Sequence, residues 1–223
     1  MVDERLGMLL ELAGSGTRLA DVGSDHGYLV IEALTSGRWQ QGIATDISPA
    51  AVEKTRRAAR LAGLETRIDC RQGDGLEPLA AGEAEAAVIA GMGGPTIAQI
   101  LARGFPVSRA VLQPMKDVAA LRAFLLENGF CIREEALARA AGRWYHGLLV
   151  EPGAEPERSP LEVRVGWRLL ERRHPLLRPW LAFRIGQMER WVNKTRPDSD
   201  QARAYIASLE AEIRRWRDLY ERL

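Results

Sequence analysis

The stretch RLADVGSDHGYL, residues 18–29, decides the fold. It opens as an apolar strand, turns at Gly23 and enters a helical run near Gly27. A strand, a glycine turn and a helix start make a ligand cradle at the carboxyl edge of a parallel sheet. The dinucleotide fingerprint G-x-G-x-x-G is missing. In its place stands D-x-G-x-x-x-G, from Asp21 through Gly23 to Gly27. A carboxylate inside the strand end repels a pyrophosphate and suits a ligand with an ammonium group or hydroxyls. That disfavours a nicotinamide oxidoreductase.

Outward from this stretch, short β-branched or apolar runs predict strands at 17–23, 41–46, 66–71, 85–91, 108–113, 129–137 and 143–151. Helical patterns fall at 27–36, 49–62, 94–103 and 116–128, with a lead-in helix at 3–13. Ser48 is a good N-cap with Pro49 at the first helical position. Gly63 and Gly129 end two of the helices. Strand–helix–strand alternation implies a parallel sheet with right-handed crossovers. The last two strands follow each other across Ala140-Ala141-Gly142 and predict an antiparallel edge hairpin.

After Glu151 the pattern changes. Pro152, Gly153, Pro156 and Pro160 read as a linker, and helical periodicity follows to the end. Leu181, Ile185, Met188 and Val192 form one heptad stripe. Ile206, Leu209, Ile213, Trp216, Tyr220 and Leu223 form another, across the turn Arg196-Pro197-Asp198-Ser199. Two such stripes predict an antiparallel helical hairpin with coiled-coil packing. The expected architecture is therefore α/β, a Rossmann-like sheet domain at 1–153 and a helical coiled-coil domain at 154–223.

Three carboxylates fall at three consecutive strand ends. Asp21 and Gly23, with Ser24, are placed at an amino-acid end of the ligand. Asp46 ends the second strand, where a carboxylate takes both ribose hydroxyls; it also suits a helix cap before Ser48. Ile47 is placed beside an adenine or in the core. Asp74 and Gly75 meet an adenine edge or simply make a β-turn. Ala90, Gly91, Met92 and Gly93 end the fourth strand, beside the reacting group. S-adenosylmethionine fits this set, with an ammonium, a sulfonium and no phosphate; the set is that of a class I methyltransferase. Asp25 and His26 sit at the helix start, next to the sulfonium, with an anionic cap and a catalytic role both open. Tyr28 stacks or packs.

The runs DVGSDHGYL (21–29), ATDISPAAVEKTRRAA (44–59), GDGL (73–76), AGMGG (90–94) and LQP (112–114) resemble the bacterial tRNA (adenine(22)-N1)-methyltransferase family. So do LLENGFCIREEAL (125–137) and GRWYH (142–146). SDH and GMGG stand where other class I families carry a third glycine or an acidic-Pro-Pro motif. The resemblance covers nearly the whole chain. It implies a methyltransferase core, S-adenosyl-L-methionine as cofactor, tRNA as partner, a C-terminal coiled-coil domain and a target adenine that flips into the pocket. Tyr28, Trp144 and Tyr145 are the aromatic candidates for receiving it.

The chain has 31 Lys and Arg against 30 Asp and Glu, for a net charge of +1, which excludes a uniformly basic coat. The charge is uneven. Residues 158–196 hold 10 basic and 3 acidic side chains, interleaved with Trp167, Trp180 and Trp191. Arg164, Arg168, Arg172, Arg173, Arg184, Arg190 and Lys194 are the candidate RNA contacts, or else a solvated face over a helical core. The two cysteines, Cys70 and Cys131, lack CxxC partners, so neither a metal site nor a disulfide framework is expected. The charged opening Met1-Val2-Asp3-Glu4-Arg5 is unlike a signal peptide, and no apolar run is long enough for a bilayer. A cytoplasmic protein with no membrane partner is expected. The oligomeric state stays open, with a monomer the simpler reading. Two other functions fit the residues less fully: a class I methyltransferase acting on other RNA, protein or a small molecule, and a non-enzymatic RNA-binding or coiled-coil adaptor. The second leaves Asp21, Asp46 and Asp74 without purpose.

Overall fold

A computed structural model describes residues 3–223. Its first elements are α1 (Glu4–Ala13), β1 (Gly16–Val22), α2 (Tyr28–Thr35), β2 (Trp39–Asp46), α3 (Pro49–Leu61) and β3 (Ile68–Gln72). There follow β4 (Ala86–Met92), α4 (Gly94–Ala102), β5 (Arg109–Pro114), α5 (Val118–Glu127), β6 (Phe130–Ala140) and β7 (Arg143–Pro152). The seven strands form one sheet in the order β3-β2-β1-β4-β5-β7-β6. β1 to β5 are parallel, and β7 runs antiparallel to both β5 and β6.

The order reverses at β1, which pairs with β2 on one side and β4 on the other. Such a switch point opens a crevice outside the carboxyl ends of the strands. Register brings Val22 level with Thr45 and Ile89, so the ends of β1, β2 and β4 meet at one edge. The local signals act as expected. The Ser48 hydroxyl accepts from the Ala51 amide, and Pro49 starts α3.

Apolar alternation gives the sheet two buried faces. One packs Leu9, Val30, Leu34, Trp39 and Val88, under α1 and α2. The other packs Ile97, Leu112, Leu121, Leu125, Ile132 and Trp167. Trp167 belongs to a connector, α6 (Pro160–Val165) and α7 (Trp167–Glu171). A capping box between Ser159 and Glu162 starts α6.

The first compact unit runs to Glu171 rather than stopping near 153. The Pro- and Gly-rich composition reads as a linker, but long-range polar contacts tie this segment to the sheet. Arg122 is wholly buried, and its Nε donates to Glu135 Oε1 at 2.6 Å. Its Nη1 donates to the carbonyls of Val163 (3.1 Å) and Arg164 (3.3 Å). Glu135 Oε2 accepts the Arg168 amide at 3.0 Å. Gly166, at φ 110°, lets the chain pass this ion pair; a Cβ there would meet Arg122 Nη2 at 2.7 Å and Glu135 Oε2 at 2.8 Å.

The second unit is Arg172–Leu223. It holds α8 (Leu177–Lys194) and α9 (Asp200–Arg222), an antiparallel pair. Leu181, Ile185 and Met188 are buried on one helix and Leu209, Ile213 and Trp216 on the other, as the two stripes predict. The Trp180 and Trp216 rings lie 5.4 Å apart, and the Arg178 guanidinium covers the Tyr220 ring at 4.5 Å.

Candidate active site

The loop after β1 is built by backbone. Gly23 has φ 75°, and the Gly23 and Ser24 amides both donate to the Thr45 carbonyl, at 2.8 and 3.1 Å. This folds the end of β1 over the end of β2. The Ser24 carbonyl then accepts from the Gly27 amide (2.6 Å) and the Thr55 hydroxyl (2.8 Å). A left-handed glycine is needed at position 23, and a Cβ there would meet the Met92 methyl at 2.3 Å.

A cavity of about 580 Å³ opens above this loop. Asp21, Gly23, Ser24, Asp25, His26, Gly27, Tyr28 and Ala90 line it, so most of the residues expected at the amino-acid end come together. The Asp21 carboxylate is buried and accepts the Ser24 hydroxyl at 2.5 Å. Burial pushes its pKa up to about 6. The Ser24 hydroxyl, the Val30 amide and the Arg5 charge oppose that rise, and Asp46 adds to it.

Asp25 and His26 stand at the mouth. Asp25 Oδ1 meets Lys54 Nζ at 3.1 Å, and Oδ2 meets His26 Nε2 at 3.3 Å. The Lys54 hydrogen bond, with the His26 charge, holds the Asp25 carboxyl below its usual range. Asp25 does not cap α2. Gly27 is the N-cap, without a side-chain bond, because the loop spends two residues more before the helix begins. The His26 and Tyr28 rings stack at 5.3 Å and 12°. Tyr28 is 69% exposed, so of the two readings it stacks, on His26, and does not pack in the core.

Asp46 ends β2 and Ile47 follows it, at the same sheet edge but outside the lining of that cavity. One Asp46 oxygen accepts the Ser48 amide at 2.8 Å, the cap-like bond the sequence allowed. Among the described residues its Oδ2 takes no hydrogen bond. Ile47 is 67% exposed and is not core. The Gly75 carbonyl accepts the Thr45 hydroxyl at 3.1 Å, which brings the loop after β3 to the same edge. Asp74 stands apart, ion-paired with Arg103 in a separate depression of about 290 Å³. The end of β4 bulges between Ala90 and Met92, with Gly91 at φ 81°. The Met92 carbonyl accepts the Met115 amide at 2.7 Å, and Gly93 caps α4.

Arg5 is the residue that the sequence concealed. It reaches from α1 into the cavity, donates Nε to the fully buried Gln113 at 2.6 Å, and lies over the Tyr145 ring at 5.4 Å. Nothing local marks a residue whose partner lies 108 positions away. It brings a permanent cation to a cavity otherwise lined by Asp3, Asp21, Asp25 and Glu32.

The predicted RNA contacts divide between the two units. Arg164 and Arg168 belong to the first. Arg168 is committed to Glu171 (2.7 Å), Glu155 (3.0 Å) and the Ile132 carbonyl (2.7 Å). Arg172, Arg173, Arg184, Arg190 and Lys194 lie in the second unit. Arg184 covers the half-exposed Trp191 at 5.9 Å, and burial lowers its pKa. Arg190 and Lys194 are exposed and enter no ion pair among the described residues. In the second unit, 12 basic side chains face 7 acidic ones; in the first, 19 face 23. No helix among the described residues is long and apolar enough to cross a membrane.

A Rossmann-like sheet in this order, with a carboxylate-lined cavity at its switch point, defines a class I methyltransferase fold. The methyltransferase domain family matches residues 2–148, and the chain belongs to it. A tRNA (adenine(22)-N(1))-methyltransferase of Bacillus subtilis is 35% identical over 156 residues, 68% of this chain and 66% of that protein. That match spans just under two thirds of the relative's length. Over whole chains, the crystal structure of the B. subtilis m1A22 tRNA methyltransferase TrmK superposes with a TM-score of 0.82 at 26% identity, covering 99% of each chain. A Streptococcus pneumoniae structure in complex with S-adenosyl-L-methionine superposes with a TM-score of 0.81 at 29% identity. It covers 96% of this chain and 99% of that one.

Proposed function

We propose that this protein transfers a methyl group from S-adenosyl-L-methionine to N1 of an adenine in tRNA, at position 22 in the D arm. The observation that carries the reading is the cavity in which buried Asp21 faces Arg5. A buried carboxylate with a hydroxyl as its side-chain partner fits an ammonium, and Arg5 fits a carboxylate. An amino-acid end bears both. Asp46 Oδ2 fits the ribose hydroxyls and exposed Ile47 covers the adenine face. S-adenosyl-L-methionine supplies an electrophilic methyl on its sulfonium. The 35%-identical relative and the whole-chain likeness to the m1A22 enzyme support tRNA as acceptor.

Binding of the ammonium needs Asp21 ionised. Its pKa is about 6 in the free protein and falls when the cation arrives, so binding below that pH expels a proton. Cofactor affinity should therefore fall as pH drops through about 6, by up to roughly tenfold per unit. Calorimetry across this range checks it. Asp21→Asn should bind weakly with that dependence gone; a flat wild-type profile removes Asp21 from the ammonium.

Adenine N1 holds a free lone pair at neutral pH, so no base is needed. Positive charge builds on the ring, and the chain must orient the base and place negative charge near it. Asp25 sits at the mouth with its carboxylate ionised, and the His26–Tyr28 stack offers an aromatic surface for the flipped base. Asp25→Asn should cut single-turnover methylation by about 10²-fold while cofactor affinity stays within about threefold. Unchanged turnover removes Asp25 from the chemistry.

The tail arginines Arg172, Arg173, Arg184, Arg190 and Lys194, with Trp191, are the proposed tRNA surface of the helical unit. The proposed setting is the cytoplasm, as a monomer. Incubation of unmodified tRNA with the protein and cofactor, followed by nucleoside mass spectrometry, tests the whole reading. One methyl at N1 of adenine 22 is expected. Methyl on another base or on protein reassigns the substrate.

A further inference from the structure

The tip of the β6–β7 hairpin is the feature that the catalytic reading leaves unused. The last rung between β5 and β7 pairs Leu112 with Leu148, yet β7 begins at Arg143. At about 3.3 Å per residue, the tip overhangs the end of β5 by roughly 10 Å. It overhangs the carboxyl edge, where β4 ends at the cavity. Tyr145, in the overhang, is the ring under the cavity residue Arg5.

The overhang is basic. Residues 136–150 contain Arg139, Arg143 and His146 and no Asp or Glu, within a unit that is acidic as a whole. Arg139 and Arg143 are exposed and enter no ion pair among the described residues. Arg139 stands over the Trp144 ring at 5.5 Å, paired across the hairpin. Side chains alternate along a strand, so Arg139 and Trp144 take the face opposite Tyr145. Lys116, on the loop after β5, lies across Gly93, its Cε 3.3 Å from where a Cβ would stand. It too has no ion-pair partner among the described residues, although Asp117 adjoins it in sequence.

We propose that this overhang is a second RNA contact, carried by the catalytic unit itself, in which Arg139 and Arg143 hold phosphates of the strand flanking the target nucleotide. Exposed guanidiniums on a ribbon that overhangs the carboxyl edge of the sheet match a polyanion, and an adjacent indole offers a base a stacking face. A small acceptor would not span from the cavity to the tip. The proposal rests on tRNA as substrate and adds where that substrate is gripped.

The test is the full-length Arg139→Gln/Arg143→Gln variant, with Arg143→Glu as a charge-reversal partner. Both sites are exposed, and cofactor affinity by calorimetry should equal that of the wild type. Binding of unmodified tRNA should weaken roughly tenfold at physiological salt in the double variant, and the log–log salt slope should shrink by about 2. KM for tRNA should rise while kcat at saturating tRNA stays within about twofold. Wild-type tRNA affinity and salt slope in both variants would overturn the proposal while leaving tRNA as substrate intact. Absence of tRNA binding and methylation in the wild type itself would overturn both.

Discussion

A chain ending at Glu171 is expected to bind S-adenosyl-L-methionine like the full chain and to lose at least about 10²-fold in kcat/KM for tRNA. The division into compact units makes this the informative cut. Every residue around Asp21, Asp46 and Arg5 stays in place. The loss includes Arg190, Lys194 and the Arg184–Trp191 pair, along with the whole basic excess of the chain, since the remaining unit is net acidic. Roughly five phosphate contacts correspond to a salt slope near 4, so the full chain loses affinity faster with salt than the truncated one and the defect should narrow as salt rises. Calorimetry and a tRNA methylation assay on the same preparation decide the matter. A truncated protein that methylates tRNA at the full rate makes the helical hairpin a scaffold or a partner module.

A cut near residue 157 gives a different outcome, because it removes the cover of Arg122 and Glu135. That ion pair is buried, and the connector carbonyls of Val163 and Arg164 complete the guanidinium's bonds. Removing one partner leaves a buried charge uncompensated, at a cost of about 3–5 kcal/mol. Arg122→Ala should therefore lower the melting temperature by roughly 6–20 °C for a chain of this size. Replacing both partners by apolar residues, Arg122→Met with Glu135→Leu, should restore most of it. Thermal unfolding of the three variants checks the sign of each change. A melting temperature for Arg122→Ala within a degree or two of the wild type means that water or a neighbour already compensates Glu135.

The two cases show what local sequence carries. Strand–helix alternation predicts the twelve elements from α1 to β7 to within a few residues, because apolar period and helix caps are written in neighbouring positions. β6 runs past its predicted end at 137 to Ala140, since a ribbon outside the sheet still pairs with its own partner. The carboxylates Asp21 and Asp46 were legible for the same reason: a strand end is a local event. Arg5 was not, since its meaning depends on Gln113 and Tyr145, on strands that return much later. Asp74 shows the limit in the other direction. Its place after the third strand suits an adenine edge, yet its carboxylate is held by Arg103 from α4, a contact that no spacing announces. The segment after Pro152 read as a linker because proline and glycine dominate it, while Trp167 and the Arg168 contacts that bind it down are long-range.

Arg168 has one more effect, on how separate copies of the molecule meet. β6 is an outermost strand of eleven residues, long enough to recruit a strand from another copy and seed aggregation. Its carbonyl at Ile132 is already taken by Arg168, and its ladder shifts register between Ile132 and Glu134. Arg133, in the middle of that irregularity, puts an exposed charge on the strand. An incoming strand finds no continuous row of donors and acceptors. The connector that closes the sheet unit thus also denies its edge as a template.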